Sequence, residues 1–170
     1  MMKTLIAYAT KTGTARSCAL ILAELLPGSK LCDLSKELPD PAPFDAVVVG
    51  GSIRMGTLHA DAQRFLRKYR TTLLTKRTAY FLCNCAADKT AEFFQQNLPQ
   101  DLREAALCLE SFGGELDLSK QKGFDRMAVK MMLQAQQTGG AQAQAVGEMR
   151  VGIREDRIAA LARTVKDACP

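Results

Sequence analysis

The chain has 170 residues, 47% of them apolar and 24% charged, which suits one folded domain with a full core and excludes a disordered or fibrous protein. Its longest apolar run falls well short of the roughly 20 residues a membrane helix needs, and Leu5–Ala9 is too short for the apolar part of a signal peptide, so a cytosolic protein is expected. A net charge of +5 and a pI near 9.0 favour acidic partners such as anionic lipid or a carboxylate-bearing substrate, and without any nucleic-acid-binding motif no nucleic acid is expected.

Leu5-Ile6-Ala7-Tyr8-Ala9 is a short, continuously apolar run, the pattern of a strand buried on both faces. Thr10-Lys11-Thr12-Gly13-Thr14-Ala15 follows, small and rich in hydroxyls. A helix begins at once, with Cys18, Ile21, Leu22, Leu25 and Leu26 at spacings of three and four. Pro27-Gly28 stops it. Strand, hydroxyl-rich turn and helix in succession aim backbone N–H groups and the positive end of a helix at an anion, so the loop suits a phosphate. Its spelling is neither GxxxxGK(S/T) nor GxGxxG, which argues against a nucleotide-hydrolysing P-loop and a dinucleotide loop. An ordinary Thr- and Gly-containing turn is the alternative.

Ser29 to Leu34 suits a short edge strand, and Pro39-Asp40-Pro41-Ala42-Pro43 a stiff connector. Ala46-Val47-Val48-Val49-Gly50 is the clearest buried strand. It runs into a loop of small residues from Gly50 to His59. Ala62, Phe65, Leu66, Tyr69 and Leu73 form the apolar stripe of the next helix, opposite Arg64, Arg67, Lys68 and Arg70. A strand over Thr78–Cys83 ends at Asn84-Cys85-Ala86-Ala87-Asp88. A helix broken near Pro99 spans Lys89–Leu102, and a fifth strand spans Ala106–Phe112. From Lys120 to Gln137, Phe124, Met127, Met131 and Ala135 share a face beside Lys120, Lys122, Arg126 and Lys130, a packed surface helix or one lying on an anionic membrane. Thr138-Gly139-Gly140 ends it, and Ala141 to Gly147 is low-complexity Ala/Gln. The last helix, from about Arg154 to Asp167, buries Ile158, Leu161, Ala162 and Val165.

Six cysteines are expected as reduced, mostly buried thiols. Cys83-Asn84-Cys85 sets two thiols on one strand face, but no second pair and no nearby His completes a zinc site, so no metal is expected. His59, the single histidine, lies just before a helix and suits a local role. Neither a Ser/His/Asp set nor paired carboxylates is visible, which argues against hydrolysis.

Five strands separated by helical connectors, with no repeat and no linker, predict one doubly wound α/β domain over residues 1–170. In that setting the first loop resembles the FMN-phosphate loop of flavodoxins, Ser/Thr-x-Ser/Thr-Gly-x-Ser/Thr. Thr10, Thr12 and Gly13 match in register, while Ala15 stands at the last hydroxyl position with Thr14 beside it. The resemblance implies a flavodoxin-like five-stranded parallel sheet of order 2-1-3-4-5, with ligands at the carboxyl ends of the strands. It implies FMN as cofactor, held by Thr10, Lys11, Thr12, Gly13, Thr14, Ala15, Ser52, Ile53, Arg54, Met55, Gly56, Asn84, Cys85, Ala86 and Asp88. No catalytic residue is singled out.

Gly51-Ser52-Ile53-Arg54-Met55-Gly56 with His59 looks like the corresponding loop of the flavodoxin-type, quinone-coupled protoporphyrinogen IX dehydrogenases. Phe124-Asp125-Arg126-Met127-Ala128-Val129-Lys130 likewise matches that family's Tyr/Phe-Asp-Arg-x-x-x-Lys helix. Met55 stands where an aromatic commonly covers the flavin. Three expectations follow: an FMN protein carrying electrons between redox partners, a porphyrinogen dehydrogenase passing electrons to a quinone at the inner membrane face, or a related fold that no longer binds FMN.

Overall fold

The computed structural model describes residues 1–114 and 152–168. The basic-apolar helix predicted over Lys120–Gln137 and the Ala/Gln stretch after it lie outside the described residues.

Continuous apolar runs become central strands because both of their faces are covered. β1 (Thr4–Ala9) is buried at every position. It pairs in parallel with β2 (Lys30–Asp33) on one side and β3 (Ala46–Arg54) on the other. β3 pairs next with β5 (Arg77–Cys83), and β5 with β6 (Cys108–Ser111), all parallel. The two-residue β4 (Thr57–Leu58) folds back antiparallel on β3. Counting the parallel strands alone, the order β2-β1-β3-β5-β6 is the predicted 2-1-3-4-5. Both edge strands have only four residues, a length that discourages edge-to-edge pairing.

Strand alternation sends successive side chains to opposite layers. Leu5, Ala7, Val47, Val49, Tyr80 and Leu82 pack towards α2 (Ala60–Leu74), α3 (Thr90–Asn97) and α4 (Gln100–Ala105). Ile6, Tyr8, Val48, Ala79 and Phe81 pack towards α1 (Thr14–Leu25) and α5 (Glu155–Asp167). On the second layer Phe81 stacks on Phe112 with ring centroids 4.6 Å apart. Each such fully buried side chain contributes about 1.5–3 kcal/mol. The four residues expected to anchor the last helix, Ile158, Leu161, Ala162 and Val165, are all at most 3% exposed.

The structure departs from the expected loop after β3. Instead of running irregularly from Gly50 to His59, the strand continues to Arg54, and Met55-Gly56 turns it back into β4. Met55 has φ 51° and Gly56 φ 76°, both left-handed, as a two-residue turn requires if it is to match strand twist. A sequence reading looks for Asn-Gly or Asp-Gly there; Met-Gly hides the turn.

Candidate functional site

The strand registers line up the carboxyl ends of four strands. Ala9 pairs with Gly51, Gly51 with Leu82, and Leu82 with Ser111. The loops that follow therefore open on one edge of the sheet, between the two helical layers, where α/β folds hold ligands.

The first loop is shaped from within. Gly13 takes φ 97°, caps α1 through its backbone alone, and has open space where a Cβ would stand. Its N–H donates to Thr10 Oγ1 at 2.9 Å, which leaves the Thr10 hydroxyl proton free to donate outwards. Thr12 and Thr14 are half-buried beside it, and Lys11 is exposed. Ala15 is fully buried and so brings only its backbone N–H to the loop. No acidic residue occupies the first turn of α1. The first-turn N–H groups of Thr14, Ala15 and Arg16 have no intrahelical acceptor, and Ser17 N–H makes the first helical bond, to Gly13 O. Tyr8, at the end of β1, is 4% exposed. Burial first, and then Asp33, push its phenol above the ordinary value, while the nearby charge of Arg16 works the other way.

Ser52 lies one pair beyond Gly51, beside Cys83. It is buried, and its hydroxyl has no hydrogen-bond partner among the described residues. Alternation from Val48 and Gly50 puts it on the α1 side of the sheet. An orphaned hydroxyl there costs about 1–3 kcal/mol unless a ligand or water meets it. Ile53 is half-buried in the opposite layer, Arg54 is half-buried with a polar contact of its own, and Met55 projects from the turn at 64% exposure.

The loop after β5 is braced by Asn84. Its Nδ2 donates to Ala86 O at 2.6 Å and its Oδ1 accepts from Ser111 Oγ at 2.6 Å. Asn84 is 3% exposed, so its side chain fixes the loop while Cys85 and Ala86, half-buried, and Asp88, exposed, line it. A Cβ on Gly114 would lie 3.3 Å from the Asn84 backbone, a close approach that draws the loop after β6 against the same edge. Cys83 points into the core with its Sγ 3.8 Å from Cys18 Sγ. The hydrogen bond to Cys18, and then burial, push its thiol well above the ordinary value. Among the described residues no His/Cys/Asp/Glu group could hold a metal. His59 caps α2, its Nδ1 accepting from Asp61 N at 3.3 Å.

Sequence reasoning missed Asn97. From the end of α3 it accepts from Leu58 N at 2.8 Å and donates to Gly56 O and Phe93 O at 2.9 Å each. It pins the β3–β4 hairpin from 39 residues away, and no local pattern announces such a contact.

The geometry fits a phosphate-bearing flavin. Hydroxyls, first-turn amides and the Lys11 and Arg16 cations stand beyond the end of β1, and the β3–β4 hairpin and the loop braced by Asn84 follow strands that end on the same edge. The family model of the flavodoxin domain matches residues 5–143. A protoporphyrinogen IX dehydrogenase (quinone) of Escherichia coli strain K12 is 29% identical over 147 residues, 78% of this chain and 79% of that one. A short-chain flavodoxin associated with a PDU bacterial microcompartment shares the fold at TM-score 0.56 and 13% identity, with full coverage of both chains. A Fusobacterium nucleatum flavodoxin bound to flavin mononucleotide aligns at TM-score 0.49 and 9% identity over 99% of each chain. Strand order, the loop into α1 and a match over most of the chain agree: it belongs to the flavodoxin domain family.

Proposed function

We propose that this chain binds FMN and passes electrons between redox partners through it. The observation that carries this reading is the start of α1, where a left-handed Gly13 opens a helix without an acid or side-chain cap at the edge shared by β1, β3 and β5. Thr10, Thr12, Thr14 and the first-turn N–H groups would hold the phosphate, with Lys11 and Arg16 adding positive charge. Ser52–Gly56 and Asn84–Asp88 would flank the ring, which Met55, Ile53 and backbone cover in place of an aromatic pair. FMN, when bound, supplies the redox chemistry; the protein holds it, shields it from water and sets its hydrogen bonds. The test is flavin retention after gel filtration of FMN-loaded protein, read by absorbance. Thr12→Asp sets a carboxylate against the phosphate and should abolish retention, while Thr12→Ser keeps the hydroxyl and should preserve it. Full retention by Thr12→Asp refutes this placement.

A second reading, oxidation of a porphyrinogen with a quinone as acceptor, is favoured by the 29% identity to the Escherichia coli dehydrogenase. Arg54 suits it, because a planar guanidinium can grip a carboxylate through two hydrogen bonds. Contact with an anionic membrane face near the quinone pool belongs to the same reading; none of the described helices is long and apolar enough to cross a membrane. Anaerobic mixing with protoporphyrinogen, followed by a quinone, decides between the two. Bleaching and then recovery of the flavin absorbance supports the dehydrogenase. Flavin that stays oxidised with porphyrinogen yet accepts electrons from a reductase protein leaves the carrier.

A further inference from the structure

The most basic of the described helices is α2. α2 holds Arg64, Arg67, Lys68 and Arg70 against one acid, Asp61, a net +3 in a chain of net +5. Two of these cations are spoken for. Arg64 pairs with Asp61 at 3.2 Å, and Arg70 reaches Asp101 on α4 at 2.9 Å. Arg67 is exposed and has no carboxylate partner among the described residues. Arg103, on α4, donates through Nε to Leu98 O at 3.1 Å, and its terminal nitrogens meet no carboxylate among the described residues.

Arg67 and Arg103 both line an open cleft of about 340 Å³ between α2 and the α3–α4 junction. Gln95 adds a carboxamide, and Leu98 and Pro99 add apolar surface; no acidic residue lines the cleft itself, the nearby Glu92 and Glu104 being engaged at its rim by Gln96 and Gln100 at 2.9 and 2.7 Å. Two guanidiniums without an ion-pair partner among the described residues, beside amides and aliphatic groups, are complementary to carboxylates carried on a partly apolar chain. We propose that this cleft docks an acidic segment of a partner protein, its carboxylates held by Arg67 and Arg103.

Concavity favours that occupant over a lipid surface. A membrane cannot enter a cleft, and lying on one requires apolar side chains that reach the acyl boundary. The outer side of α2 offers only Leu74, 40% exposed, among its large apolar residues. Gln96, which also lines the cleft, has its Oε1 3.6 Å from where a Gly56 side chain would begin. A docked segment therefore lies against the hairpin that carries Met55. The inference stands on the cleft alone and is independent of the flavin reading.

The test is fluorescence anisotropy with a short fluorescein-labelled peptide rich in Glu and Leu, at low salt, against the full-length protein. Arg67→Gln combined with Arg103→Gln should weaken binding about tenfold or more, since each guanidinium makes charge-assisted bonds. Arg77→Gln combined with Arg163→Gln removes equal charge elsewhere and should leave affinity within about twofold. Arg67→Glu, a single exposed substitution, must reproduce the loss if the double variant unfolds. Equal loss in both double variants would mean that net charge alone binds the peptide, and overturns the proposal. So would anionic phosphatidylglycerol vesicles binding while the peptide does not, or failure of the peptide to bind at low salt.

Discussion

Asn97→Ala tests whether one side chain holds the hairpin over the candidate site. The substitution removes the acceptor of Leu58 N–H and the donor to Gly56 O, at 2.8 and 2.9 Å. The third bond, to Phe93 O, matters less, because that carbonyl lies within α3 and keeps its helical partner. Leu58 is 5% exposed, so its stranded N–H finds little water. Two lost bonds at about 0.5–1.5 kcal/mol each, with the cost of an unsatisfied buried donor, place the destabilisation at about 2–3 kcal/mol. For a chain of this size that corresponds to a fall in Tm of about 5–10 °C. Urea unfolding reads the global loss, and hydrogen exchange at the Leu58 amide reads the local one, expected to accelerate about thirtyfold or more. Asn97→Asp keeps the acceptor and loses the donor, so it should fall between. A loss under about 0.5 kcal/mol with unchanged Leu58 protection would refute the clamp.

Gly50→Ala should cost about 3 kcal/mol or more in urea unfolding, because the new Cβ would sit 2.3 Å from the fully buried Phe81 ring; a wild-type midpoint would contradict that packing. Met55→Gly should raise the unfolding free energy by about 0.5–1 kcal/mol, relief of the left-handed strain exceeding the added chain entropy, while Met55→Val should lower it. Burial alone would raise the Asp33 carboxyl, but hydrogen bonds from Ser35 Oγ and Ser35 N–H, with Lys36 and Arg16 nearby, hold it below the ordinary 3.8. Stability from a depressed carboxyl is present above its unfolded value and lost as pH falls through the folded one, so the advantage of wild type over Asp33→Asn should be present at neutral pH and fade below about pH 4. Iodoacetamide at mildly alkaline pH should leave Cys18, Cys32 and Cys83 unlabelled in the native protein and label all three in guanidinium, as peptide mass spectrometry would show; burial and a hydrogen bond to Glu37 push Cys32 to about 12.

The sheet was legible because each central strand is an uninterrupted apolar run and each helix a regular stripe. Leu5–Ala9 and Ile158–Val165 declare their burial through composition and spacing alone. The start of α1 was legible because Gly13 and its flanking threonines combine a backbone requirement with a chemical one. What stayed hidden are contacts between distant residues that carry no periodic signal. Asn97 reads as one more polar residue near a helix end, yet it ties three carbonyl or amide groups together. Asn84 is expected from the sequence as a loop residue beside the cofactor, but that its carboxamide braces the loop through Ala86 and Ser111 is a contact no local pattern announces. Met55 gave no turn signal because the left-handed conformation is imposed on it by the pairing of Ile53 with Leu58 and Arg54 with Thr57.

The cover over one side of the sheet comes from opposite ends of the described sequence. Ile6, Val48 and Phe81 share a layer with residues of α1 and with Ile158, Leu161 and Val165 of α5. During synthesis β1, β3 and β5 can therefore pair while part of that side still waits for a helix more than a hundred residues downstream of α1. A nascent chain halted before Ile158 would expose apolar strands on the ribosome, a state that invites chaperones or aggregation. Until Glu155–Asp167 has emerged and docked, that side of the sheet keeps part of its apolar surface uncovered, so the second layer closes only once residues far apart in the chain have met.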